Sequence, residues 1–127
     1  MMRLTKAVVL GGALIALGCG HPMSRKLEGT WYGDGVEAFE ERHVARATGW
    51  AKSLRFTFSG SQLTISIAAE EPRNGEYRIR SVRNSQVLLA VRRPDGREDL
   101  AQFELDGEHT MRWKVGEDRA IVLRREL

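Results

Sequence analysis

Leu54-Arg55-Phe56-Thr57-Phe58-Ser59-Gly60-Ser61-Gln62-Leu63-Thr64-Ile65-Ser66-Ile67 is the stretch that decides the fold. Leu54, Phe56 and Phe58 alternate with Arg55 and Thr57, and after Gly60 the apolar Leu63, Ile65 and Ile67 alternate with Thr64 and Ser66. Successive side chains of an extended chain point to opposite faces, so this period of two gives each run one apolar and one polar face. Ser59-Gly60 between them supplies turn residues, and the pair reads as an antiparallel hairpin.

The same rhythm continues toward the C-terminus. Tyr77 and Ile79 alternate with Arg78 and Arg80, and Val87, Leu89 and Val91 with Leu88, Ala90 and Arg92. Ala101, Phe103 and Leu105 follow, then Met111, Trp113 and Val115, and finally Ile121 and Leu123. Short turns separate the runs: Arg83-Asn84, Pro94-Asp95-Gly96, Asp106-Gly107 and Gly116-Glu117. Asp106-Gly107 is the strongest of them, as a type I′ turn. With Gly29–Tyr32 as the first strand, the chain predicts an all-β, antiparallel up-and-down meander of about eight strands. Such a meander removes its own edges by closing into a small barrel, with a two-sheet sandwich as the competing geometry. One segment departs from period two. Val36, Phe39, Val44 and Ala47 are spaced nearer to helical period, Asp34 with Glu37 makes a capping start, and Gly49 a stop. This predicts one amphipathic helix between strands 1 and 2, on the barrel surface or across its mouth.

The N-terminus reads differently. Met1 to Lys6 is basic, Ala7 to Leu17 is apolar, and Ala16-Leu17-Gly18 leads into Cys19, the single cysteine of the chain. This order describes a secretory signal, and the run is too short to cross a bilayer core of ~30 Å. Its small residues ending in cysteine resemble the lipobox of bacterial lipoproteins, with Ala16 where Leu is more common. The resemblance implies a signal peptide at 1–18, an acylated (palmitate-type) Cys19 with a tether at 19–26, and a domain at 27–127. An ordinary cleaved signal with a free thiol is the alternative. Gly20 after the cysteine resembles an outer-membrane address, so the expected location is the bacterial cell envelope, lipid-anchored and facing the periplasm. Loss of Arg3 and Lys6 with the signal lowers the net charge from +3 to +1. That leaves no global footprint for nucleic acid. Charge is nonetheless uneven: seven arginines lie between Arg73 and Arg97 against Glu76 and Asp95, while 28–41 is acidic.

Leu27-Glu28-Gly29-Thr30-Trp31-Tyr32 resembles the Gly-x-Trp opening of lipocalin-like barrels, the calycins. The resemblance implies that Gly29 bends the first strand and Trp31 plugs the closed end of the barrel. It also implies a basic partner for Trp31 from the last strand, where Arg124 and Arg125 are the candidates.

Such barrels commonly bind small hydrophobic molecules. Trp50, Tyr77, His109, Met111 and Trp113 are the candidate lining, with a filled interior as the competing reading. Chemistry is poorly supported. His21, His43 and His109 lack metal-ligand spacing, and no nucleophile or phosphate-cradling motif is present. The expectation is a non-enzyme with no metal and no cofactor. Arg78, Arg80 and Arg92 alternate away from the apolar positions and form a candidate outward surface for anionic lipid or an envelope protein. Cross-strand glutamates would equally explain them as a solvated face.

Overall fold

The computed structural model describes residues 22–126. Cys19 and the signal segment lie outside them, as does His21. Among the described residues the order is α1 (Pro22–Leu27), β1 (Gly29–Glu37), α2 (Glu41–Lys52), β2 (Leu54–Ser59), β3 (Gln62–Ile67), β4 (Arg73–Arg83), β5 (Gln86–Arg92), β6 (Glu98–Asp106), β7 (Thr110–Lys114) and β8 (Ala120–Arg125). All eight strands pair with their sequence neighbours, and β1 pairs with β8 to close a barrel. The sandwich alternative is thereby excluded.

The 54–67 hairpin has the register its alternation requires: Leu54 opposite Ile67, Phe56 opposite Ile65, Phe58 opposite Leu63. Inward-facing residues from every strand fill the interior. Phe56, Phe58, Leu63, Leu89, Phe103, Met111 and Leu123 are each no more than 2% exposed. Their rings meet edge to face, Phe56 on Phe103 at 6.0 Å and Phe58 on Tyr77 at 5.4 Å between centroids. This arrangement suits the aromatic quadrupole. Side chains this completely covered have atoms, not space, on every side.

Three local expectations are corrected. The helix between strands 1 and 2 begins at Glu41, not Asp34, and runs through Gly49 to Lys52. Residues up to Glu37 stay extended because β8 pairs with them as far as Glu37 opposite Ala120. Inter-strand hydrogen bonding and burial outweigh the helical spacing of Val36 and Phe39 with the residues that follow. Asp34 consequently does not cap; its carboxylate accepts from Arg124 Nε at 2.7 Å. Secondly, Asp106-Gly107 is not a two-residue type I′ turn. Asp106 pairs with Thr110, which leaves Gly107, Glu108 and His109 as a three-residue loop, and only Gly107 has positive φ. Thirdly, the tether expected through Lys26 is instead helical from Pro22, with Met23 and Leu27 buried in the barrel core.

The two ends of the barrel are closed by different means. At the α1 end, Trp31 is wholly buried and donates its indole N–H to the Leu27 carbonyl at 2.9 Å. At the other end, α2 buries Ala51. The fit there is tight, since a Cβ on Gly33 would lie 1.7 Å from the Ala51 carbonyl oxygen. The β1 register also shifts between Gly33 and Gly35, which bends the strand beneath the helix.

Candidate functional site

Trp31 and Arg125 lie directly opposite each other on β1 and β8. The Arg125 guanidinium sits 4.3 Å above the indole, while Arg124, one residue earlier, faces outward to Asp34. Arg125 also donates from Nε to the Glu108 carbonyl at 2.8 Å, and from its two terminal nitrogens to the carbonyls of Glu28 and Lys26. One cation thus covers the indole, satisfies carbonyls at the C-terminal end of α1 and holds the β6–β7 loop. Cations are favoured beside unpaired helix C-terminal carbonyls. Gly29 has φ of 119°, a left-handed conformation that favours glycine, and a Cβ there would press on Arg125 at 3.1 Å.

Beside this latch lies a cleft of about 790 Å³. Met23, Arg25 and Lys26 of α1 form one wall, and Asn84 and Ser85 of the β4–β5 turn another. Leu105, Glu108, His109 and Arg125 complete it. Three permanent cations and a histidine therefore face a single carboxylate over an apolar floor. Neither Arg25 nor Lys26 makes an ion pair among the described residues. The sequence showed these two residues only as the basic end of a tether; nothing in it placed them against turns some 60 to 80 residues away.

The five expected ligand residues do not share a pocket. Trp50 and Trp113 meet at the α2 end, with ring centroids 6.4 Å apart and Trp50 45% exposed. Met111 is wholly buried and Tyr77 is 5% exposed, both within the packed core. His109 lies exposed in the β6–β7 loop at the α1 end; the additional loop residues take it out of the inward-facing series that its spacing from Met111 suggested. A second, smaller groove of about 340 Å³ opens along α2 between Phe39, His43, Arg46, Ala47, Trp50 and Arg119.

Tyr77 carries the buried polar atom that needs explanation. Its hydroxyl has no hydrogen-bond partner of normal geometry among the described residues. Burial pushes its phenol up, the Ser24 side chain on α1 opposes this, and the Glu28 carboxylate adds to it. Arg112 is the opposite case. It is held between Glu37 at 2.8 Å and Asp106 at 3.0 Å, and these two hydrogen-bonding carboxylates push its guanidinium further up.

The arginine rows are split by their surroundings. Arg78 pairs with Glu98 at 3.2 Å, and Arg92 stands in a row between Glu76 and Glu98. Arg80 is the extra residue where the β4 register shifts between Ile79 and Ser81, and it makes no ion pair among the described residues. In the row of Arg78, its cross-strand neighbour Ala90 is buried, and Leu100, opposite Ala90 on β6, is 61% exposed. Among the described residues, no three His, Cys, Asp or Glu side chains converge as a metal would require. No helix there is long and apolar enough to cross a membrane. Comparison with protein-family models, curated proteins and solved structures gave no significant match.

Proposed function

We propose that this is a lipid-anchored, non-catalytic protein of the bacterial cell envelope that works through its outer surface and not through a ligand held inside the barrel. The observation that carries this reading is the filled interior: the side chains from Phe56 to Leu123 that would line a ligand cavity are packed against one another. An apolar ligand needs a concave, largely preformed site, and these positions offer it no volume. The anchor is supported by the signal-like N-terminus and the cysteine that ends it. The test is metabolic labelling with an alkyne fatty acid, followed by membrane fractionation. Label and membrane association are expected in the native chain and absent in Cys19→Ser. Retention of label by Cys19→Ser overturns the anchor.

The groove along α2 favours a second reading, capture of a small hydrophobic molecule outside the barrel. The exposed ring of Trp50 is its apolar surface. A fluorescent fatty acid should then quench tryptophan emission, and Trp50→Ala should weaken that binding about tenfold, roughly one aromatic contact. Binding unaffected by Trp50→Ala eliminates this reading.

A further inference from the structure

We propose that the cleft beside α1 binds the anionic headgroup of a membrane phospholipid, an inference that rests on the lipid anchor at Cys19. Three steps of the backbone, at most ~3.6 Å each, lead from Cys19 to Pro22, so their α-carbons are within about 11 Å of each other. The helix is not free to swing away from the barrel. Met23 and Leu27 are buried, and the carbonyls of Lys26 and Glu28 are held by Arg125. A short leash on a docked helix stands the barrel on its α1 end and turns the cleft toward the bilayer.

The cleft has the chemistry for what it would meet there. Arg25, Lys26 and Arg125 are permanent cations, and the Asn84 amide and Ser85 hydroxyl add neutral donors. Half-buried Leu105, beside the buried Met23, supplies apolar surface for the glycerol and the first methylenes of the acyl chains. Arg83 lies next to Asn84 and, like Arg80, makes no ion pair among the described residues. At the opposite end, Arg73, Arg93 and Arg97 each face a nearby carboxylate on Glu70, Asp99 and Asp95. A phosphodiester fits a forked guanidinium and an ammonium as a carboxylate does.

Amide exchange on the full chain, purified from bacterial membranes and reconstituted, tests the site. Vesicles of phosphatidylglycerol should slow exchange in 22–27 and 106–110 relative to phosphatidylcholine vesicles. Each cation near an anionic surface is worth about fivefold in affinity. Arg25→Gln with Lys26→Gln should therefore lower the binding about 25-fold, whereas Arg73→Gln with Arg97→Gln leaves the protection in place. Equal exchange in the two vesicles, or protection that survives Arg25→Gln with Lys26→Gln, overturns the proposal. Equal protection by inorganic phosphate alone overturns its assignment to lipid. Intact mass of the same preparation reads acylation separately. An unacylated chain that still distinguishes the vesicles removes the anchor and keeps the site, and an acylated chain that does not distinguish them removes the site alone.

Discussion

Arg124 and Arg125 are adjacent, identical in chemistry and opposite in consequence. The alternation of β8 turns one inward over Trp31 and the other outward to Asp34. Arg125→Ala removes a cation–π contact and three carbonyl hydrogen bonds, and should cost about 2–3 kcal/mol in denaturant unfolding. Arg124→Ala breaks a surface ion pair, for which a loss of under about 1 kcal/mol is expected. Equal losses would refute the division. Tyr77 offers the contrasting test. Removing this hydroxyl, buried without a hydrogen bond of normal geometry among the described residues, in Tyr77→Phe should leave the melting temperature unchanged or raise it, by up to about 1 kcal/mol of stability. Its raised folded pKa also sets a sign. The folded state holds this proton more tightly than the unfolded chain does, so its contribution is fully present below about pH 10 and is lost as pH rises through the folded value. Alkaline melts of Tyr77→Phe should consequently show a shallower fall above about pH 10 than the native chain.

The strands were legible because burial on one face and solvent on the other write themselves as period two. Leu54 to Ser59 shows this most clearly, with Leu54, Phe56 and Phe58 buried and the residues between them more exposed. The helix was legible as an event but not in its boundaries. Val36 and Phe39 have helical spacing, yet the pairing of Val36 with Ile121 depends on a strand some 85 residues away. No local pattern carries that information. Parity is hidden for the same reason: a choice between Arg124 and Arg125 needs the register of β8 on β1, and one step of slip exchanges them. The cleft was the least legible part, since its walls come from α1, two turns and the end of β8. At the opposite end, the contact of Gly33 with the Ala51 carbonyl ties α2 to β1. Gly33→Ala should dislodge the helix or cost about 3 kcal/mol of overpacking, seen as lost helical circular dichroism and a change in Trp50 emission. Gly35→Ala, where a Cβ meets nothing within 4 Å, is the control.

At the level of the whole molecule, the filled interior is the stabilising unit. Met111→Ala should cost about 2–5 kcal/mol through its cavity, with no change in lipid protection if the unfolding is still cooperative. The wall of this barrel is completed only where Glu37 to Trp31 meet Ala120 to Arg125, the first strand against the last. Until β8 arrives, β1 has no partner on that side, Trp31 lacks its lid and α1 lacks its clamp. Nascent segments consequently have no closed intermediate on which to settle, and pairings this distant in sequence form slowly. Closing the barrel is therefore expected to be the last and slowest step of folding, because the hairpins from β2 to β7 pair with near neighbours and need nothing from β8.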